Sequence, residues 1–88
     1  MASDVLEHRV SGSLPYKRIP DGEVVVGYHK MHGWRCVVVG HPFAGLGVHM
    51  QREAVLEARS IALSKGLDRI WIQDVDSPVV MCNKVSIA

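Results

Sequence analysis

The chain has no apolar stretch of membrane-spanning length, and its first residues lack the apolar core of a signal peptide. A cytoplasmic protein is therefore expected. Cysteine is scarce: Cys36 and Cys82 stand 46 positions apart, each inside an apolar run. Buried free thiols in a reducing compartment are the expectation, with a disulfide as the alternative. Charge of one sign is also missing. Ten Lys and Arg against nine Asp and Glu leave +1, which provides no general attraction to nucleic acid or anionic membrane. Protonating the five histidines raises this to about +6, so acid would change the surface strongly. Neither phosphate-loop signature is present. Residues 40–47, GHPFAGLG, run from valines towards a helix, but no G-x-G-x-x-G or Walker pattern results. A plain connection is expected there, and phosphate binding is the alternative.

What is present describes one globular domain. Hydrophobic residues make up 48% of the 88 positions and charged residues 22%. No internal repeat or linker divides the chain. Residues 51–66, QREAVLEARSIALSKG, carry the helical periodicity: Ala54, Val55, Ala58, Ile61 and Ala62 form one apolar stripe. Three of these five are alanines, so the helix can lie close to its support. Glu53 suits the first turn and Lys65 the last, and Gly66 stands where a left-handed cap belongs. Neither His49 nor Met50 is a good N-cap. Leu56 and Leu63 point away from the stripe, as two scattered surface leucines or as a second contact.

Around the helix lie strand-like runs. Residues 23–28 (EVVVGY) and 34–39 (WRCVVV) flank a turn at 29–33 and read as an antiparallel hairpin. Val48 reads as the start of a short third strand. Residues 69–73 (RIWIQ) and 79–83 (VVMCN) are strands joined by turn chemistry at 74–78. Residues 1–22 mix Ser, Gly and Pro and end in Pro20-Asp21-Gly22. This segment is expected to be mobile or loosely docked, with a short helix over 4–10, ahead of a domain at 23–88. The predicted class is α+β: an antiparallel sheet of four to five strands, one helix at about 51–65 on one face, order β-β-(β)-α-β-β.

Period-two alternation assigns the side chains to faces. Val24, Val26, Tyr28, Trp34, Cys36, Val38, Ile70 and Ile72 should meet the helix. Val25, Arg35, Val37, Arg69, Trp71 and Gln73 should form an open face, an aromatic and apolar patch edged by two arginines. Those six, with Leu56 and Leu63, are the candidate interaction surface. No other chemistry stands out. His29-x-x-His32 with Cys36 and His41 has zinc-ligand types, but the spacing matches no strong pattern and no metal site is assigned. Cysteines inside apolar strands make poor nucleophiles, and Asp74 and Asp76 suit local backbone hydrogen bonds. Neither catalytic residues nor a cofactor is assigned.

The Gly33-Trp34 hairpin, the helix with Glu53-Ala54, Ala58-Arg59 and Ile61-Ala62, and RIWIQDVDSPVVMCN together resemble small bacterial domains without assigned activity. Those domains have ββαββ or βββαβ patterns. The layout is also similar to HicB-type antitoxins and, more loosely, to double-stranded-RNA-binding folds. The resemblance spans residues 23–83 and implies a fold and no activity. It departs from double-stranded-RNA-binding domains in lacking a lysine-rich start to a final helix, so no functional residue carries over. The expected function is non-enzymatic binding, through self-association as a homodimer or through a protein partner. Nucleic-acid association by the open face, antitoxin-like in role, is the alternative.

Overall fold

The computed structural model describes residues 10–41 and 50–87. Five strands form one sheet: β1 (Val10–Pro15), β2 (Val24–His29), β3 (Gly33–Val38), β4 (Arg69–Asp74) and β5 (Met81–Ser86). Helix α1 (Gln51–Ser64) packs on one face, and the strand order is β1-β5-β4-β2-β3. The α+β class and single covering helix agree with the sequence. The predicted short helix at 4–10 and the third strand at Val48 lie outside the described residues, apart from Val10, which begins β1.

The sheet is mixed, and this corrects the expected all-antiparallel arrangement. β2 and β4 run parallel, with Val25 opposite Trp71 and Val26 opposite Ile72. The cause is the long crossover. β3 ends beside the beginning of β2, where Val24 faces Val38, and β4 must begin at that same end. The connection carrying α1 returns the chain to that end, on the far side of β2 from β3, so β4 starts alongside β2 and runs in its direction.

Of residues 1–22, expected to be mobile or loosely docked, the described part, 10–22, is built into the fold. β1 pairs with β5, and its register shifts between Val10 and Gly12. Such a bulge, with Pro15 at the strand's end, blunts this edge against further pairing. A 3-10 turn at Tyr16–Arg18 follows, and the Tyr16 N–H donates to the Val80 carbonyl at 3.0 Å. The chain then crosses the sheet to begin β2, burying Ile19 on Val25, Val39, Trp71 and Cys82.

Two cores result. Under α1, Val24, Val26, Cys36, Val38, Ile70, Ile72 and Val85 meet Ala54, Val55, Ala58 and Ala62. The predicted inward residues are all there except Tyr28, which sits near the strand's end and is exposed. α1 ends one residue early, which makes Lys65 the C-cap. Gly66 takes φ +80°, its N–H donates to Leu63, and the Leu67 N–H donates to Ala62. This double bond pattern satisfies two helix carbonyls and turns the chain directly into β4.

Candidate interaction surface

The alternation placed Val25, Arg35, Val37, Arg69, Trp71 and Gln73 on one face, and the strand registers keep them there. That face is open only in part. Val25 and Trp71 are 2% and 5% exposed beneath the segment carrying Ile19. A two-layer reading that left this segment loose could not foresee the burial, so Trp71 offers no ring to a partner.

At the start of β2 a carboxylate organises the covered face. Glu23 is buried, and its Oε2 accepts from Arg69 Nη2 at 2.6 Å. Its Oε1 accepts from Arg69 Nε at 3.1 Å and from the Trp71 indole Nε1 at 2.9 Å. Arg69 also reaches Asp68, and Lys84 lies 6.0 Å from the centre of the Trp71 ring. Burial pushes the Glu23 carboxyl up, but those hydrogen bonds and the charges of Arg69 and Lys84 together hold it below its ordinary range. The arginine is raised in turn by its bonds to Glu23 and Asp68. With both oxygens occupied by structural donors, the carboxylate is committed to the fold. Arg69 is thereby tied, although it lines a groove of about 520 Å3 with Ser11, Leu14 and Lys84.

A second groove of about 220 Å3 lies towards the other end of the same face, over Val25, Gly27 and Val37. His29, Arg35, Gln73, Tyr16 and Val80 complete its walls. Gln73 is partly used, because its Oε1 accepts the Tyr28 N–H at 3.0 Å. Arg35 is exposed and makes no ion pair among the described residues.

Most of the exposed large apolar side chains lie towards this end, where β2 and β4 finish and β5 begins. Tyr16, Tyr28, Met31, Met50, Val75, Val79 and Val80 are seven of the ten large hydrophobics exposed among the described residues. Pro15, Tyr16, Val79 and Val80 line an apolar hollow beside Lys17. Sequence reading missed the two valines because it placed them inside the last strand. β5 begins only at Met81, since Ser77-Pro78 prolongs the loop. The Ser-Pro pair was the available signal. Leu56 and Leu63 are exposed on the outer side of α1, as the periodicity placed them.

The remaining candidates stay apart. Cys36 lies under the helix and Cys82 under Ile19, on opposite faces of the sheet, so the alternative disulfide does not form. Burial, with the Glu57 carboxylate nearby, pushes the Cys36 thiol up to about 12, and burial pushes Cys82 up to about 11. Neither thiol should react with iodoacetamide at neutral pH until the chain unfolds, which mass spectrometry of labelled native and denatured protein checks. Rapid native labelling of Cys36 would show that its cover opens readily. His29 and His32 stack at 4.8 Å in the exposed β2–β3 turn. Among the described residues, no three His, Cys, Asp or Glu side chains are grouped to hold a metal. Asp74 accepts the Asp76 N–H at 3.0 Å and so shapes the β4–β5 loop. No helix of the described residues is long and apolar enough to cross a membrane.

Compared with protein-family models, with curated proteins and with solved structures, the chain shows no significant match.

Proposed function

We propose that the chain is a non-enzymatic binding module that works by self-association, through the end of the sheet where Tyr16, Val79 and Val80 are exposed. The observation that supports this reading is the apolar hollow those residues line with Pro15. An apolar patch at water, in a small domain that already holds two filled cores, is the usual mark of a protein contact. Two kinds of group that elsewhere perform chemistry are unavailable: the thiols are buried and protonated, and Glu23 is held by Arg69 and Trp71.

Sedimentation velocity over a wide concentration range tests the reading. The chain should sediment as a dimer that dissociates on dilution. Val80→Asp should sediment as a monomer and keep the native fold by circular dichroism, because this side chain is 53% exposed. A wild-type chain monomeric at every concentration sinks the proposal.

Nucleic-acid association is the second reading, and one observation favours it. The groove over Gly27 carries Arg35 and His29 beside Tyr16 and has no carboxylate among its lining residues. A single-stranded oligonucleotide added at low salt should then shift the Arg35 side-chain and Gly27 amide signals in NMR. An unchanged spectrum removes it, along with the antitoxin-like role.

A further inference from the structure

We infer that the self-contact is reciprocal, the β4–β5 loop of each copy seating Val79 in its partner's groove over Gly27 and Val37, with Asp76 facing Arg35. This rests on the self-association proposed above and adds which surfaces meet.

The groove and the loop are complementary in shape. At about 220 Å3 the groove falls below the roughly 300–1,000 Å3 of sites for drug-sized ligands, yet it has room for one branched side chain. Its floor is aliphatic, and Gly27 deepens it. A methyl group there would lie 3.5 Å from Gln73 Oε1, so the absent side chain leaves space at the surface. The loop carries the matching knob. Val79 is 61% exposed and stands in the β4–β5 loop directly after Ser77-Pro78.

The two are also complementary in charge. The groove's rim carries Arg35 and His29 with no carboxylate, whereas residues 74–80 carry Asp74 and Asp76 with no base. Asp74 is used within the loop, accepting the Asp76 N–H, while the Asp76 side chain is exposed and in no ion pair among the described residues. One free anion and one free cation therefore flank one free knob and one free hole. Val80 lines the groove itself, so loop and groove adjoin in each copy. Adjacent complementary patches are what a twofold axis needs, because each copy then gives one loop and receives one.

Charge reversal with mixing tests the pairing. Arg35→Glu alone and Asp76→Arg alone should each sediment as monomers at concentrations where the wild type is dimeric. An equimolar mixture of the two should recover the dimer, since both contacts of the mixed pair regain opposite charges. The double variant R35E/D76R should also dimerise with itself. A wild-type dimer that neither single variant weakens, or a mixture that stays monomeric, overturns this arrangement and leaves self-association standing. A wild type without any dimer removes both. If the wild type is monomeric and shows oligonucleotide-induced shifts that Arg35→Glu abolishes, the groove belongs to nucleic acid and the inference fails.

Discussion

Glu23→Ala is expected to lower stability by about 2–3 kcal/mol, measured by urea denaturation, and the melting temperature by roughly 10–20 °C. The substitution takes the Glu23 acceptor from two groups. The Trp71 indole N–H stays buried with no acceptor, and the Arg69 guanidinium keeps only its bond to Asp68. Breaking a buried ion pair costs about 3–5 kcal/mol where neither charge can reach water. Arg69 is 38% exposed and can turn to solvent, so the lower figure applies. Glu23→Gln retains an acceptor for the indole and should lose roughly half as much. The acid limb of stability has a definite sign. The folded carboxyl titrates below its ordinary value of 4.5, so its contribution is fully present above that pH. It fades as pH falls through the lower folded value. Glu23→Gln should therefore flatten the loss of stability below about pH 4.5. An acid limb unchanged by the substitution would mean that the ion pair does not persist in solution.

Why Glu23 was not anticipated shows where sequence reading works and where it stops. Period-two alternation needs only local geometry, and it sorted Val24, Val26, Cys36, Ile70 and Ile72 from Val25, Arg35 and Trp71 correctly. The alanine stripe and the Gly66 cap were legible for the same reason, because helix period and left-handed backbone are properties of neighbours in sequence. The covering of the second face was not legible. It depends on β1 pairing with β5 across some seventy positions and on one residue, Ile19, standing between prolines and charges without periodicity. Once that segment crosses the face, Trp71 is buried and needs an acceptor for its indole, and only then does Glu23 acquire a role. The parallel β2–β4 pair escaped for a related reason: strand direction is set by a crossover and leaves no mark on the strands. Val79 and Val80 stand at the surface because β5 starts only at Met81, two residues after the apolar run begins. Boundaries are where propensity is weakest.

Ala58→Leu should lower stability by about 3 kcal/mol in urea denaturation, although it only adds apolar atoms. Ala54, Ala58 and Ala62 are each 0% exposed and follow one another at the four-residue spacing that forms a ridge. A methyl ridge lets α1 approach the sheet closely, and the sheet beneath is stiff. β2 and β4 are held by ladders on both sides, and Ile19 and Trp71 fill the space behind them. The strands cannot yield, so a leucine must lift the helix. Lifting also loosens Val55, Ile61 and Leu67, which pack on the same core. Overpacking usually costs about 1–3 kcal/mol, and the rigid support places this case at the upper end. Ala58→Gly should cost only about 1 kcal/mol, mostly through helix propensity, since one methyl is lost and nothing is displaced. Leu63→Ala, on the outer side, should stay within about 0.5 kcal/mol. If leucine at 58 proves milder than glycine, the helix stands further from the sheet than this ridge requires. The proposed contact at Val79 and Arg35 lies on the opposite side of the sheet from α1, so whatever fraction of Ala58→Leu remains folded should still dimerise. Stability and self-association would then separate in one variant.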